Sequence, residues 1–108
     1  MSDAAAGRSM IDVARRSMPA LAAATEVARA SGALAGRRVG IALMLEPKTA
    51  CLAEAVAAVG ADVAVFGNDF STKQPVVAAL RAGGVPVFTD RDEFLDTRIE
   101  YLADDGAG

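Results

Sequence analysis

The sequence predicts an α/β fold: a Rossmann-like, three-layer arrangement with a short parallel sheet of about three strands, flanking helices and two further helices at the amino end. Three observations carry this. Three short apolar runs, Arg38–Leu45, Asp62–Phe66 and Val85–Phe88, are each followed by a stretch of helical spacing. The first run is continuous rather than alternating, as a strand buried on both faces of a parallel sheet must be. The units recur about every 22 residues, a length that suits right-handed strand–helix–strand crossovers.

Met1–Arg8 reads as a frayed tail. Met10, Val13, Met18, Leu21 and Val27 stand at helical spacing, and Pro19 interrupts them. Proline breaks a helix interior but is tolerated in a first turn, so two helices are expected, about 9–17 and 19–31. Ser31-Gly32 and Gly36 end this region. The first strand follows, then Glu46-Pro47 and a helix from Lys48 to Val59 that buries Leu52, Val56 and Val59 and stops at Gly60. After the second strand comes the loop Gly67–Phe70. Ser71-Thr72-Lys73-Gln74 has the spacing of a capping box and opens a helix with Val76, Val77 and Leu80 on its apolar face. Gly83-Gly84 ends it before the third strand. Asp90-Arg91-Asp92-Glu93 opens a last helix, expected to bury Phe94, Leu95, Ile99 and Leu102. A single domain over 9–102 is expected, with 103–108 as a loose tail. Three strands are few for an open sheet, and the bare edges are pairing surfaces.

Composition removes several function classes. The 108 residues are 53% hydrophobic and 23% charged, unlike a disordered chain. Much of the apolar share is small, since 25 residues are alanine. Aromatics are 5% with no Trp, and the net charge is −3, which argues against a base-stacking platform and against phosphate-backbone or anionic-lipid binding. Histidine is absent, which removes the usual general base, the usual zinc ligand and every Ser-His or Cys-His pair. No metal cluster, Walker A sequence or Gly-x-Gly-x-x-Gly is present, and no cofactor is expected. The lone Cys51, with no basic start to the N-terminus and no long apolar run, points to a cytoplasmic protein. Cys51 itself reads as a buried small hydrophobe.

In open α/β sheets, ligands bind at the carboxyl ends of the strands. Those ends are Met44–Lys48, Gly67–Thr72 and Phe88–Arg91. In the first loop Glu46 and Lys48 are the candidate catalytic pair: a carboxylate and an ammonium sharing a crevice act as acid and base when burial shifts them. The plainer reading makes Glu46 a helix-end anion and Lys48 a solvated cation. In the second loop Asn68 suits a ribose or carboxylate, and Ser71 and Thr72 suit an anion at the helix start; capping alone also explains them. The third loop is acidic with one Arg, as helix capping requires. Met44 and Thr49 complete the candidate ligand-binding set with Asn68, Ser71 and Thr72.

The order of segments resembles the amino-terminal part of adenosylhomocysteinase. The resemblance rests on Ala14–Leu21, Leu34–Val39, Thr49–Leu52, Val59–Val63, Asn68–Thr72, Ala78–Leu80 and Gly84–Phe88, and covers roughly residues 10–102. It implies a family run His-x-Thr-x-Glu-Thr after the first strand, whose side chains grip adenosine. The matching positions are Met44, Glu46, Lys48 and Thr49, and only Thr49 is kept. The family's Ser-Thr-Gln-Asp becomes Ser71-Thr72-Lys73-Gln74. The resemblance also implies that the family's catalytic Lys and Asp and its nicotinamide-binding domain lie beyond this chain, so NAD-dependent hydrolysis is not expected of it.

Three readings follow. One is a small enzyme repurposed for biosynthesis, since Met44, Glu46 and Lys48 look like a rebuilt pocket. A second is a non-catalytic module binding a nucleoside-like ligand, S-adenosylhomocysteine or a partner. A third is a fragment completed by another chain. A homodimer is expected, because a small alanine-rich core and a bare sheet edge call for cover.

Overall fold

The computed structural model describes residues 2–67 and 74–104. Asn68, Ser71, Thr72 and the start of the Ser-x-x-Gln cap lie outside the described residues. The helices are α1 (Asp3–Arg16), α2 (Pro19–Ser31), α3 (Pro47–Ala58), α4 (Gln74–Ala82) and α5 (Arg91–Leu95); the strands are β1 (Arg38–Ala42), β2 (Asp62–Phe66), β3 (Val87–Phe88) and β4 (Tyr101–Asp104).

The sheet is parallel, in the order β3-β2-β1-β4. β1 and β2 are buried through their middles, which is why their sequences are continuously apolar. The two crossovers through α3 and α4 step in one direction, from β1 to β2 to β3. The third, through α5, returns past β2 and β1 to the far side of β1. Right-handed crossovers therefore put α3 and α4 on one face and α5 on the other. Phe94 of α5 meets Phe66 and Phe88 at ring-centroid distances of 5.5 and 6.4 Å. The main core, with Ile41, Val63, Val65, Val87, Cys51, Val76 and Leu80, occupies the opposite side with α1, α3 and α4.

Several expectations are corrected. Residues 3–8 are not a tail: Ser2 caps α1 by accepting the Ala5 N–H at 3.2 Å, Asp3 meets the positive helix end, and Gly7 is buried. β1 stops at Ala42, where its pairing with both neighbours runs out, and Leu45 then turns fully inward. β3 begins at Val87 because Pro86 has no N–H for the ladder, although its carbonyl accepts from Val65 N at 3.0 Å.

The last helix ends at Leu95 instead of reaching Leu102. Arg98 takes φ 59°, which a helix does not allow, and Glu100 N donates to Arg38 O at 2.8 Å to begin a fourth strand. Ile99 then lies over Gly40, where a Cβ would come within 2.6 Å of it. Leu95 and Leu102, expected inside, are about half exposed. On α3 the fully buried positions are the small Ala50, Cys51 and Ala53, while Leu52 and Val56 are half-buried and line a cleft toward α2. Small side chains let this helix sit close to the core, and the larger ones fill the outer gap. Among the described residues, no helix is long and apolar enough to cross a membrane.

Candidate functional site

The crossover direction reverses at β1, which marks the candidate site. β1 pairs with β2 on one side and β4 on the other, and the connections leave toward opposite faces. Such a switch point opens a crevice at the carboxyl ends of the central strands. The loop from β1 to α3 stands there, with the Ala42–Asp104 register pair beside it.

The structure brings four of the predicted site residues into this loop. Met44 is 60% exposed, an unusual position for a large apolar side chain. Glu46 is half-buried at the amino end of α3, in extended backbone with Pro47 next, yet its carboxylate makes no capping hydrogen bond. Lys48 is exposed in the first turn. Among the described residues no ion pair joins Glu46 to Lys48. Thr49 is buried, and its hydroxyl donates to the Met44 carbonyl at 2.6 Å. That bond ties the loop to the helix it enters, so Thr49 shapes the loop, while Met44 and Lys48 are exposed and Glu46 is half-buried. The predicted Asn68, Ser71 and Thr72 lie outside the described residues.

The loop therefore offers a soft apolar surface from Met44, one carboxylate and one ammonium. Among the described residues there is no group of three or more His, Cys, Asp or Glu able to hold a metal.

Two other features are not part of this loop. A groove of about 450 Å³ lies toward the amino ends of the strands, between Arg38, Asp62, Pro86, Phe88 and Ile99. The Arg38 guanidinium there donates to the Thr97 carbonyl at 3.3 Å, which fastens the chain ahead of β4. The second is a charged cluster missed from the sequence. Arg8 donates both terminal nitrogens to Glu54, at 2.7 and 2.6 Å, and Arg15 also reaches Glu54. Asp12 pairs with both arginines, at 3.2 and 3.1 Å. The guanidinium bonds from Arg8 hold the Glu54 carboxyl below its ordinary range despite burial, and the Glu54 carboxylate raises Arg8 in return. The spacing of Arg8, Asp12 and Arg15 on one helical stripe was the available signal. Cys51 is buried as expected; desolvation pushes its thiol up, and the S–H donates a hydrogen bond to the Ile11 carbonyl at 3.3 Å.

The family model described as S-adenosyl-L-homocysteine hydrolase matches residues 1–104. The S-inosyl-L-homocysteine hydrolase of Methanopyrus kandleri is 42% identical over an alignment of 113 residues, covering 94% of this chain and 27% of the relative. The chain thus spans about a quarter of the length of that curated relative.

Proposed function

The chain belongs to the S-adenosyl-L-homocysteine hydrolase family, and from that premise we propose that it binds a nucleoside-like small molecule at the β1–β4 switch point. The observation that supports this best is the β1–α3 loop. Met44 stands exposed at the carboxyl end of the central strand, and Glu46 and Lys48 flank Pro47 beside it. An exposed thioether offers a polarisable surface to a planar base. Glu46 and Lys48 offer one acceptor and one donor for sugar hydroxyls or an amino-acid end. Thr49 holds the loop that presents them.

A second reading is a cofactor-free enzyme, repurposed for biosynthesis, in which Glu46 and Lys48 exchange protons with the bound molecule. It is favoured by a Glu46 carboxylate not consumed in capping α3. In both readings the 108-residue chain does not hydrolyse S-adenosylhomocysteine, because Met44, Glu46 and Lys48 replace three of the four matched adenosine-gripping residues.

The test is titration calorimetry of the 108-residue chain with adenosine, inosine, S-adenosylhomocysteine and S-inosylhomocysteine. Saturable binding of at least one, weakened by Glu46→Ala and Lys48→Ala in folded protein, is expected. No binding of any of the four overturns the ligand reading. Adenosine release from S-adenosylhomocysteine above blank, with or without NAD, overturns the statement on hydrolysis. The proposed assembly is a homodimer covering the β4 edge, where Tyr101 and Leu102 are about half exposed. A stable 11 kDa particle in light scattering at micromolar concentration refutes it.

A further inference from the structure

The sheet face that carries α5 is covered only in part. α5 has five residues, and its Phe94 packs against Phe66 and Phe88 at the carboxyl ends of β2 and β3. Toward the amino ends of the strands the same face opens into the groove of about 450 Å³. That volume falls within the range of small-molecule sites, about 300–1,000 Å³. Its wall is held in place. Arg98 takes φ 59°, a left-handed conformation that a non-glycine residue keeps only where the surrounding structure imposes it. The turn lays Ile99 over Gly40, which has no Cβ to resist it. The Arg38 guanidinium donates to the Thr97 carbonyl at 3.3 Å and is thereby fixed beside the groove. Arg38 and Asp62 are register partners on neighbouring strands, so their charges stand on one face at the amino end of the groove. Both are exposed. Among the described residues neither forms an ion pair with the other or with any other side chain, whereas the adjacent Arg37 pairs with Glu100 at 3.2 Å. Pro86, Phe88 and Ile99 supply an apolar lining.

We propose that this groove is a second small-molecule site, separate from the β1–α3 loop, and that it takes a zwitterionic α-amino acid with an apolar side chain. Arg38 holds the α-carboxylate and Asp62 the α-ammonium, while the side chain lies against Pro86, Phe88 and Ile99. Neighbouring strands run about 4.8 Å apart, which suits two charged groups carried on one carbon. One Arg38 nitrogen is spent on Thr97, and the remaining N–H groups of the fork are free for a carboxylate. The paired signs select against simpler ligands. Asp62 repels a phosphate or a plain carboxylic acid, and Arg38 repels a plain amine. A peptide carries its two terminal charges too far apart to meet both residues. This site stands independently of nucleoside binding at the opposite ends of the strands.

The experiment is titration of the 108-residue chain with L-leucine, followed by the NMR shifts of the backbone amides. Saturable shifts are expected at Ala64, Thr97 and Ile99, which line the groove, and none at Met44 or Leu45. Isocaproate, which lacks the ammonium, and isoamylamine, which lacks the carboxylate, are each expected to bind about tenfold more weakly, as the loss of one charged hydrogen bond implies. Asp62→Asn and Arg38→Gln are expected to weaken L-leucine by about the same factor. Glu26→Gln, which breaks only the Glu26–Arg29 pair on α2, leaves it unchanged. If Arg38→Gln loosens the turn before β4 and does not fold, Asp62→Asn carries the same readout, because Asp62 makes no bond to that turn. Shifts that never saturate, or that centre on the β1–α3 loop, overturn the site. Isocaproate or isoamylamine binding as tightly as L-leucine overturns it too, because an apolar crevice without charge recognition gives that result. Full affinity in Asp62→Asn overturns the pairing of Asp62 with the ammonium.

Discussion

Helices α1 and α2 are neighbours of 14 and 13 residues, both rich in alanine, yet α1 is docked more deeply: α2 meets the core only through partly buried side chains such as Leu21. α1 buries Gly7 and Ile11 and carries the contacts to Glu54. α2 buries no residue, and Val27 on it is 71% exposed. Alanine makes both helical, since it fixes little side-chain entropy on folding. It supplies almost no area for packing and no partner for charge. Docking therefore depends on a few non-alanine positions: one place with no side chain, one large apolar side chain and one arginine stripe.

The sharpest way to break this comparison is truncation of the single large buried side chain. Ile11→Ala is expected to destabilise the domain by about 3 kcal/mol, from lost burial and the cavity left behind. Leu21→Ala, at a half-buried position of α2, costs under about 1 kcal/mol. Urea unfolding of both variants measures the gap; equal losses would mean that α2 is docked as firmly as α1.

The charged contact ranks second. Glu54→Gln is expected to cost about 1 kcal/mol at pH 7, because Arg8 and Arg15 keep 40% and 47% of their side-chain surface in water, which screens the pairing. The Glu54 carboxyl lies below its ordinary range in the folded chain, through the Arg8 hydrogen bonds first. The unfolded chain therefore takes up that proton at higher pH than the folded one does. The stabilisation is complete above the ordinary glutamate pKa of about 4.3 and is lost as pH falls through the depressed folded value. The difference in unfolding free energy between wild type and Glu54→Gln should be present at pH 7 and closed at low pH. A difference that persists in strong acid would assign the effect to shape instead of charge.

The smallest effect belongs to α2. Val27→Ser should change stability by no more than about 0.5 kcal/mol, as exposed substitutions do. A larger loss in thermal melting would show that Val27 is covered in solution, and would place α2 in an interface.

The same contrast explains what was legible in the sequence. The strands Arg38–Ala42 and Asp62–Phe66 were readable because burial on both faces forces an unbroken apolar run. The edge strand Tyr101–Asp104 was not. Ile99 and Leu102 stand three apart and imitate a helix, while the strand is formed by hydrogen bonds to β1, far away in the chain. The amino end was missed for a related reason: Gly7 counts as flexible in sequence, and its value lies in Pro75, which only the fold brings near. The carboxyl-edge location of Met44, Glu46, Lys48 and Thr49 followed from the strand–helix order alone. The private use of the Thr49 hydroxyl by the Met44 carbonyl did not, because no spacing rule specifies that loop's path.

The placement of β4 also bears on how the chain reaches this structure. β1 lies at the centre of the sheet, yet one of its two partners is far away in sequence: Arg38 and Glu100, bonded at the start of that ladder, are 62 residues apart. At about 5–20 residues per second of synthesis, β1 waits several seconds for that partner. Throughout that time one full edge of the apolar strand Val39–Ile41 is open to any extended segment nearby. The α3 and α4 crossovers can close on the growing chain, but the last pairing is a long-range step that sets the pace. Misassembly is therefore most damaging late, when the domain is nearly complete and its central strand is the piece still exposed.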